Sequence, residues 1–96
     1  MSPKNKKKLD LIRVKLDYLD NKLLFLIKYR TELVKDVLKL KEFKKEIVDK
    51  KRIHFILNKI KKKSKKINLD PKITNRIWKN MIWSFIDYEK KIFKKK

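Results

Sequence analysis

Five charged side chains in this 96-residue chain, Arg13, Arg30, Lys41, Arg52 and Glu89, stand where their types and spacing could do chemistry. Apolar residues recur at Leu9, Ile12, Leu16, Leu19, Leu23 and Leu26, skip Arg30, and resume at Leu33, Val37 and Leu40, in alternating steps of three and four. Arg30 thus takes a seam position where a leucine is expected. A guanidinium keeps its charge, and taking it out of water costs several kcal/mol unless an anion meets it. No Asp or Glu occupies the seam to do so. Two readings follow: Arg30 binds an anion inside a helical protein, or its long side chain snorkels out to solvent. The pattern alone does not choose between them.

Arg13 and Lys41 flank the same seam on one side, in a row with Asp20, Leu24, Ile27, Thr31, Val34 and Leu38. Along one helix they lie ~42 Å apart, which no metabolite bridges. Two long helices crossing antiparallel near their middles would bring Arg13 of one chain towards the Arg30 to Lys41 half of the other, and a dyad would make two equivalent sites. Two guanidiniums favour carboxylates held by paired hydrogen bonds, with Lys41 as a compact point charge, so the expected ligand is small and carries two carboxylates. The chain offers no nucleophile beside a base, no carboxylate pair and no phosphate-cradling glycine loop. What remains is a unimolecular rearrangement or elimination, in which a protein holds a reactive conformer and stabilises charge as it develops.

The elements that must position these groups are helical. Between Lys4 and Lys45 there is neither Pro nor Gly, so the seam predicts one long helix of about ten turns, ~52 Å long. A compact globule of this size has a radius of gyration of only ~12 to 13 Å, so the helix calls for a second chain along its seam. Glu42 to Val48 lacks periodicity and reads as a loop. Asp49 reads as an N-cap, followed by the stripe Ile53, Ile56, Leu57 and Ile60 of a second helix that fades into the run Lys61 to Lys66. Asn68 can take the left-handed conformation that ends a helix, and Asp70-Pro71 signals the start of a third. That helix carries Ile73, Ile77, Trp78, Met81, Ile82, Phe85 and Ile92 on one face, with Glu89 on the same face. The expectation is an all-α fold of three helices, one long and two medium, in a single domain over 1–96 whose basic ends, about 1–6 and 93–96, are disordered. Trp78, Trp83 and His54 read as packing or surface residues.

Composition narrows the function classes. There is no Cys and one His, which excludes disulfides, thiolate chemistry and a His-rich metal site. The net charge of +20 would put nucleic acid or an anionic membrane among the partners. Gly and Ala are absent while Lys, Ile and Asn abound, a skew that an AT-rich genome imposes through its codons, and this discounts the charge as a signal. The longest apolar stretch, Leu23 to Ile27, is far short of the ~20 residues that span a bilayer, and the basic start leads into no uncharged apolar run. A soluble, cytoplasmic protein is expected.

The segment LDLIRVKLDYLDNKLLFLIKYRTELVKDVLKLK, then VDKKR, then LDPKITNRIWKNMIWSFIDYE, resembles the small all-helical (type II) chorismate mutases over residues 9 to 89. The matching positions are Arg13, Leu19-Asp20, Arg30, Lys41, Asp49, Arg52, Leu69-Asp70 and Glu89. The resemblance implies conversion of chorismate to prephenate, in phenylalanine and tyrosine biosynthesis, by an intertwined homodimer without cofactor or metal. It implies that the partner's Arg13 and Arg30 hold the substrate carboxylates, that Lys41 donates to the ether oxygen of the breaking bond, and that Asp49 and Arg52 lie near the ring hydroxyl. Glu89 matches a position that is commonly Gln and donates to the same ether oxygen, so it must be protonated, which burial in an apolar stripe favours.

Two substrate-lining positions depart from the family pattern. Ile53 stands where Glu often binds the hydroxyl, and Phe85 stands where Ser is usual, with Ser84 one step away. The loop before Asp49 is also shorter than in the best-known members. A related enzyme on the same fold, isochorismate-pyruvate lyase, uses the same cations and often has an apolar residue after the second-helix arginine. From another class, a basic helical dimer binding nucleic acid is the alternative. Against it, arginine is scarce and sits at or beside the seams, whereas phosphate binders display it outward.

Overall fold

The computed structural model describes residues 1–94, in three α-helices and one short 3-10 turn, with no strand among them. Helix α1 spans Pro3–Leu40, α2 Lys50–Lys66 and α3 Pro71–Ile92. The 3-10 turn, Lys44–Glu46, lies inside the segment expected as loop.

Helix α1 starts earlier than its seam indicates, and most of the 1–6 stretch expected as disordered is helical. Ser2 explains the early start. Its hydroxyl accepts from the Asn5 N–H at 3.2 Å, and Pro3 follows with its backbone angle already set for a first helical turn. At the other end, residues 93 and 94 are irregular and the rest of the expected 93–96 tail lies outside the described residues.

The other boundaries follow the cap residues. The Asp49 carboxylate accepts from the Arg52 N–H at 3.0 Å, and the Asp70 carboxylate from the Lys72 N–H at 2.9 Å ahead of Pro71. Asn68 has φ 57°, the left-handed conformation. Its N–H donates to the Lys65 carbonyl and the Leu69 N–H to the Ser64 carbonyl, the paired bonds of a Schellman turn. Lysines 63, 65 and 66 sit in the last turn of α2, where the helix dipole favours cations.

The chain divides into two compact units, Met1–Leu33 and Val34–Lys96. In the first, no residue is buried, and Ile12, Leu16, Leu19, Leu23 and Leu26 are each about half exposed. In the second, Leu38, Ile47, Ile82 and Ile86 form a core, with Val48, Ile53, Ile56, Leu57, Ile92 and Phe93 packed against it.

The buried face of α3 matches the expected stripe from Trp78 onward and departs from it in the first two turns. Thr74, Ile82, Ile86 and Glu89 are buried, whereas Ile73 and Ile77 are half exposed. A hydroxyl pair occupies the buried position at that end. Ser64 and Thr74, both buried, lie 2.7 Å apart between α2 and α3, and Ser64 also donates to the Ile60 carbonyl. The pair closes that end of the α2–α3 contact with polar groups that satisfy each other.

Candidate active site

The expected site residues fall in both units. Arg13 is exposed and Arg30 half-buried on the Met1–Leu33 part of α1. The remaining six, Lys41, Asp49, Arg52, Ile53, Phe85 and Glu89, belong to Val34–Lys96.

Within that second unit, Lys41 and Glu89 come together. Lys41 is the first residue past α1, and its backbone N–H still bonds to the Leu38 carbonyl, so the core residue Leu38 sets where its side chain leaves. Glu89 lies near the end of α3, one turn beyond buried Ile86. The Lys41 Nζ donates to Glu89 Oε1 at 3.5 Å, with the two side chains 19% and 8% exposed. A closed charge-assisted bond measures about 2.7 to 2.9 Å, so this ion pair is a loose one. The resemblance implies that both groups lie near one ether oxygen, but nothing in the sequence signals their direct contact, because they are far apart in the chain.

Lys41 also lines an open cavity of about 620 Å³ with Glu46, Val48, Asp49, Lys50 and Lys51. Asp49 serves there in two ways: one oxygen caps α2 while the residue forms part of the wall. Arg52, in the first turn of α2, is exposed and lies over the Phe55 ring at 5.3 Å. Ile53 packs against the core and lines a separate apolar cleft of about 370 Å³ with Leu57, Ile82 and Trp83, while Phe85 is half-buried on α3. His54 borders that cleft and is exposed. Neither Ile53 nor Phe85 offers a hydroxyl acceptor, as their side chains require.

Glu46 is the residue that sequence reasoning passed over. Its Oε2 accepts from the Glu42 N–H at 2.7 Å and the Phe43 N–H at 2.8 Å. The Phe43 N–H, then the Glu42 N–H, hold its carboxyl below the usual carboxylate value, helped by the charges of Lys41 and Lys45. The available signal was half a capping box, a Glu three residues after the first residue of a turn, but Phe43 lacks the hydroxyl that completes the motif.

The described residues thus form an all-helical chain that brings a lysine and a buried carboxyl side by side. The family model for chorismate mutase type II matches residues 12–90, and the chain belongs to that family. No curated protein and no solved structure matches it.

Proposed function

We propose that this protein is a chorismate mutase, rearranging chorismate to prephenate as a homodimer in aromatic amino acid biosynthesis. The observation that carries the reading is the Lys41–Glu89 contact at 3.5 Å, between two positions that the resemblance assigns as donors to the ether oxygen. Lys41 supplies the fixed positive charge to the oxygen that gains negative charge as its bond breaks. Glu89 donates to the same oxygen when protonated. Arg30 and the partner's Arg13 hold the two carboxylates and with them the reactive conformer, a contribution of orientation rather than of covalent chemistry. Asp49 and Arg52 attend the ring hydroxyl, and Ile53 and Phe85 supply apolar wall.

The exposed row Ile12, Leu16, Leu19, Leu23 and Leu26 supports the dimer. A continuous apolar seam on one helix is satisfied by a like seam, and a dyad supplies Arg13 to the other chain's site. No helix among the described residues is long and apolar enough to cross a membrane. Action in the cytoplasm accords with that.

Ile53 favours one second reading, isochorismate-pyruvate lyase, since a substrate whose hydroxyl needs no acceptor at that position suits an isoleucine. Purified protein given chorismate and isochorismate separately decides. Prephenate from chorismate is expected; salicylate with pyruvate from isochorismate moves the assignment to the lyase, and no turnover of either sinks both. Glu89→Gln places a permanent donor at that position and should keep turnover, whereas Glu89→Ala should lose it; equal turnover in the two variants removes Glu89 from this role.

A further inference from the structure

We propose that Glu46 is a positioning residue for Lys41, clamping the chain just past α1 so that the lysine head is presented beside Glu89. The inference deepens the reading above and rests on it for the reaction, though not for the clamp.

Three consecutive backbone N–H groups leave α1 without the helix's own bonding pattern, and each has a partner. The Lys41 N–H goes to the Leu38 carbonyl at 3.1 Å, and the Glu42 and Phe43 N–H groups both go to one oxygen of Glu46. The Glu46 backbone N–H returns to the Phe43 carbonyl at 3.0 Å, so residues 42–46 form a ring closed by side chain and main chain together. That ring is anchored at both ends. Leu38 is a core residue three positions before Lys41, and Ile47, directly after Glu46, is only 3% exposed. Between two buried anchors, the one adjustable joint is the segment that the carboxylate bridges.

Glu46 itself is exposed and borders the same cavity as Lys41. An exposed carboxylate gains little from a surface lysine, yet this one makes two short bonds to backbone donors. Those donors belong to the two residues that follow Lys41. Freed from the clamp, they would find water, and the main chain of Lys41 would turn about the Leu38 end. A lysine side chain follows its backbone, and its head would lose the alignment with Glu89 on which a shared acceptor depends.

Three variants separate reach from charge. Glu46→Gln keeps an oxygen at the same reach and loses the charge; Glu46→Asp keeps the charge and loses the reach; Glu46→Ala loses both. With chorismate as substrate, Glu46→Asp and Glu46→Ala should lower kcat about tenfold with KM within about twofold, and Glu46→Gln should stay within about twofold of the parent in both. Amide hydrogen exchange at Glu42 and Phe43, read without substrate, should quicken about tenfold or more in the Glu46→Asp and Glu46→Ala variants and stay unchanged in Glu46→Gln. The inference is overturned if Glu46→Gln loses activity while Glu46→Asp keeps it, since charge and not the clamp is then at work. It is overturned equally if exchange quickens with kcat unchanged, or if kcat falls with exchange unchanged. Should Glu46→Ala fail to fold, the contrast between Glu46→Gln and Glu46→Asp carries the same decision. A parent chain that leaves chorismate untouched overturns the functional reading alone. The clamp is then read by exchange together with acylation of the Lys41 amine by peptide mass mapping, which should speed up in Glu46→Asp; an unchanged acylation rate sinks the positioning role.

Discussion

Residues 1–33 bury no side chain, whereas every buried residue among those described falls between Leu38 and Glu89. Both regions carry regular apolar stripes. In the second unit, α3 finds α2 within its own chain, and Ile82 and Ile86 close against Ile53, Ile56 and Leu57. In the first, the stripe from Ile12 to Leu26 has no such cover. A hydrophobic period thus states that a face will be covered and leaves open whether the cover comes from the same chain. The four cationic side chains proposed for the substrate divide the same way, with Arg13 and Arg30 in the open region and Lys41 and Arg52 in the closed one.

The largest effect is expected where the open stripe is broken. Leu23→Asp puts a charge into the seam, at a cost of several kcal/mol if a second chain covers it. Sedimentation should then show a monomer and activity should vanish; a variant that keeps its parent's mass and rate would erase the contrast. Next come the cations. Arg30→Ala and Lys41→Ala should each cost about 3 to 4 kcal/mol of transition-state stabilisation, read in kcat/KM, by analogy with loss of a single oxyanion donor. Near-normal turnover in either counts against the assignment. Inactive Arg13→Ala and Lys41→Ala chains, mixed under exchange, should recover roughly a quarter of the parental rate, because half the dimers are mixed and each holds one intact site. A mixture that stays dead shows that Arg13 does not act in trans.

On the closed side, Ile82→Ala should lower stability by about 2 to 4 kcal/mol in denaturant titration, and Leu11→Ala, 67% exposed and outside the seam, by less than about 0.5. Equal losses would mean that the two regions are not packed differently after all. Asp70→Ala falls between the two, removing the α3 cap for about 1 kcal/mol, visible as a lower melting temperature with kcat unchanged.

Helix ends are legible in the sequence wherever a side chain speaks to its own backbone. Asp49, Asn68 and Asp70-Pro71 do so over two or three residues, a distance at which residue type and order are enough. Ser2-Pro3 carries the same signal, masked by the basic run after it. The start of α3 misreads because apolar period ignores polar residues, and Ser64 and Thr74 bury as a hydrogen-bonded pair. Lys41 and Glu89 are each legible through family position; their contact spans 48 residues and depends on how α3 packs, which no local pattern encodes. Glu46 escapes for another reason: it offers only half of a capping box, because Phe43 has no hydroxyl to complete it.

The Schellman turn at Asn68 has a consequence in time. It joins α2 to α3 through residues 67–70 alone, so bringing these helices together closes a very short loop and costs little chain entropy. Such a hairpin can form by an encounter within one molecule, at a rate that dilution leaves unchanged, whereas covering the α1 stripe with a second chain is a meeting of two molecules and slows as the protein is diluted. Refolding followed at several concentrations should therefore resolve into an early step indifferent to concentration and a later one that scales with it. In the proposed dimer, the newly made chain would then carry Glu89 on its folded hairpin before it has met the chain that supplies Arg13.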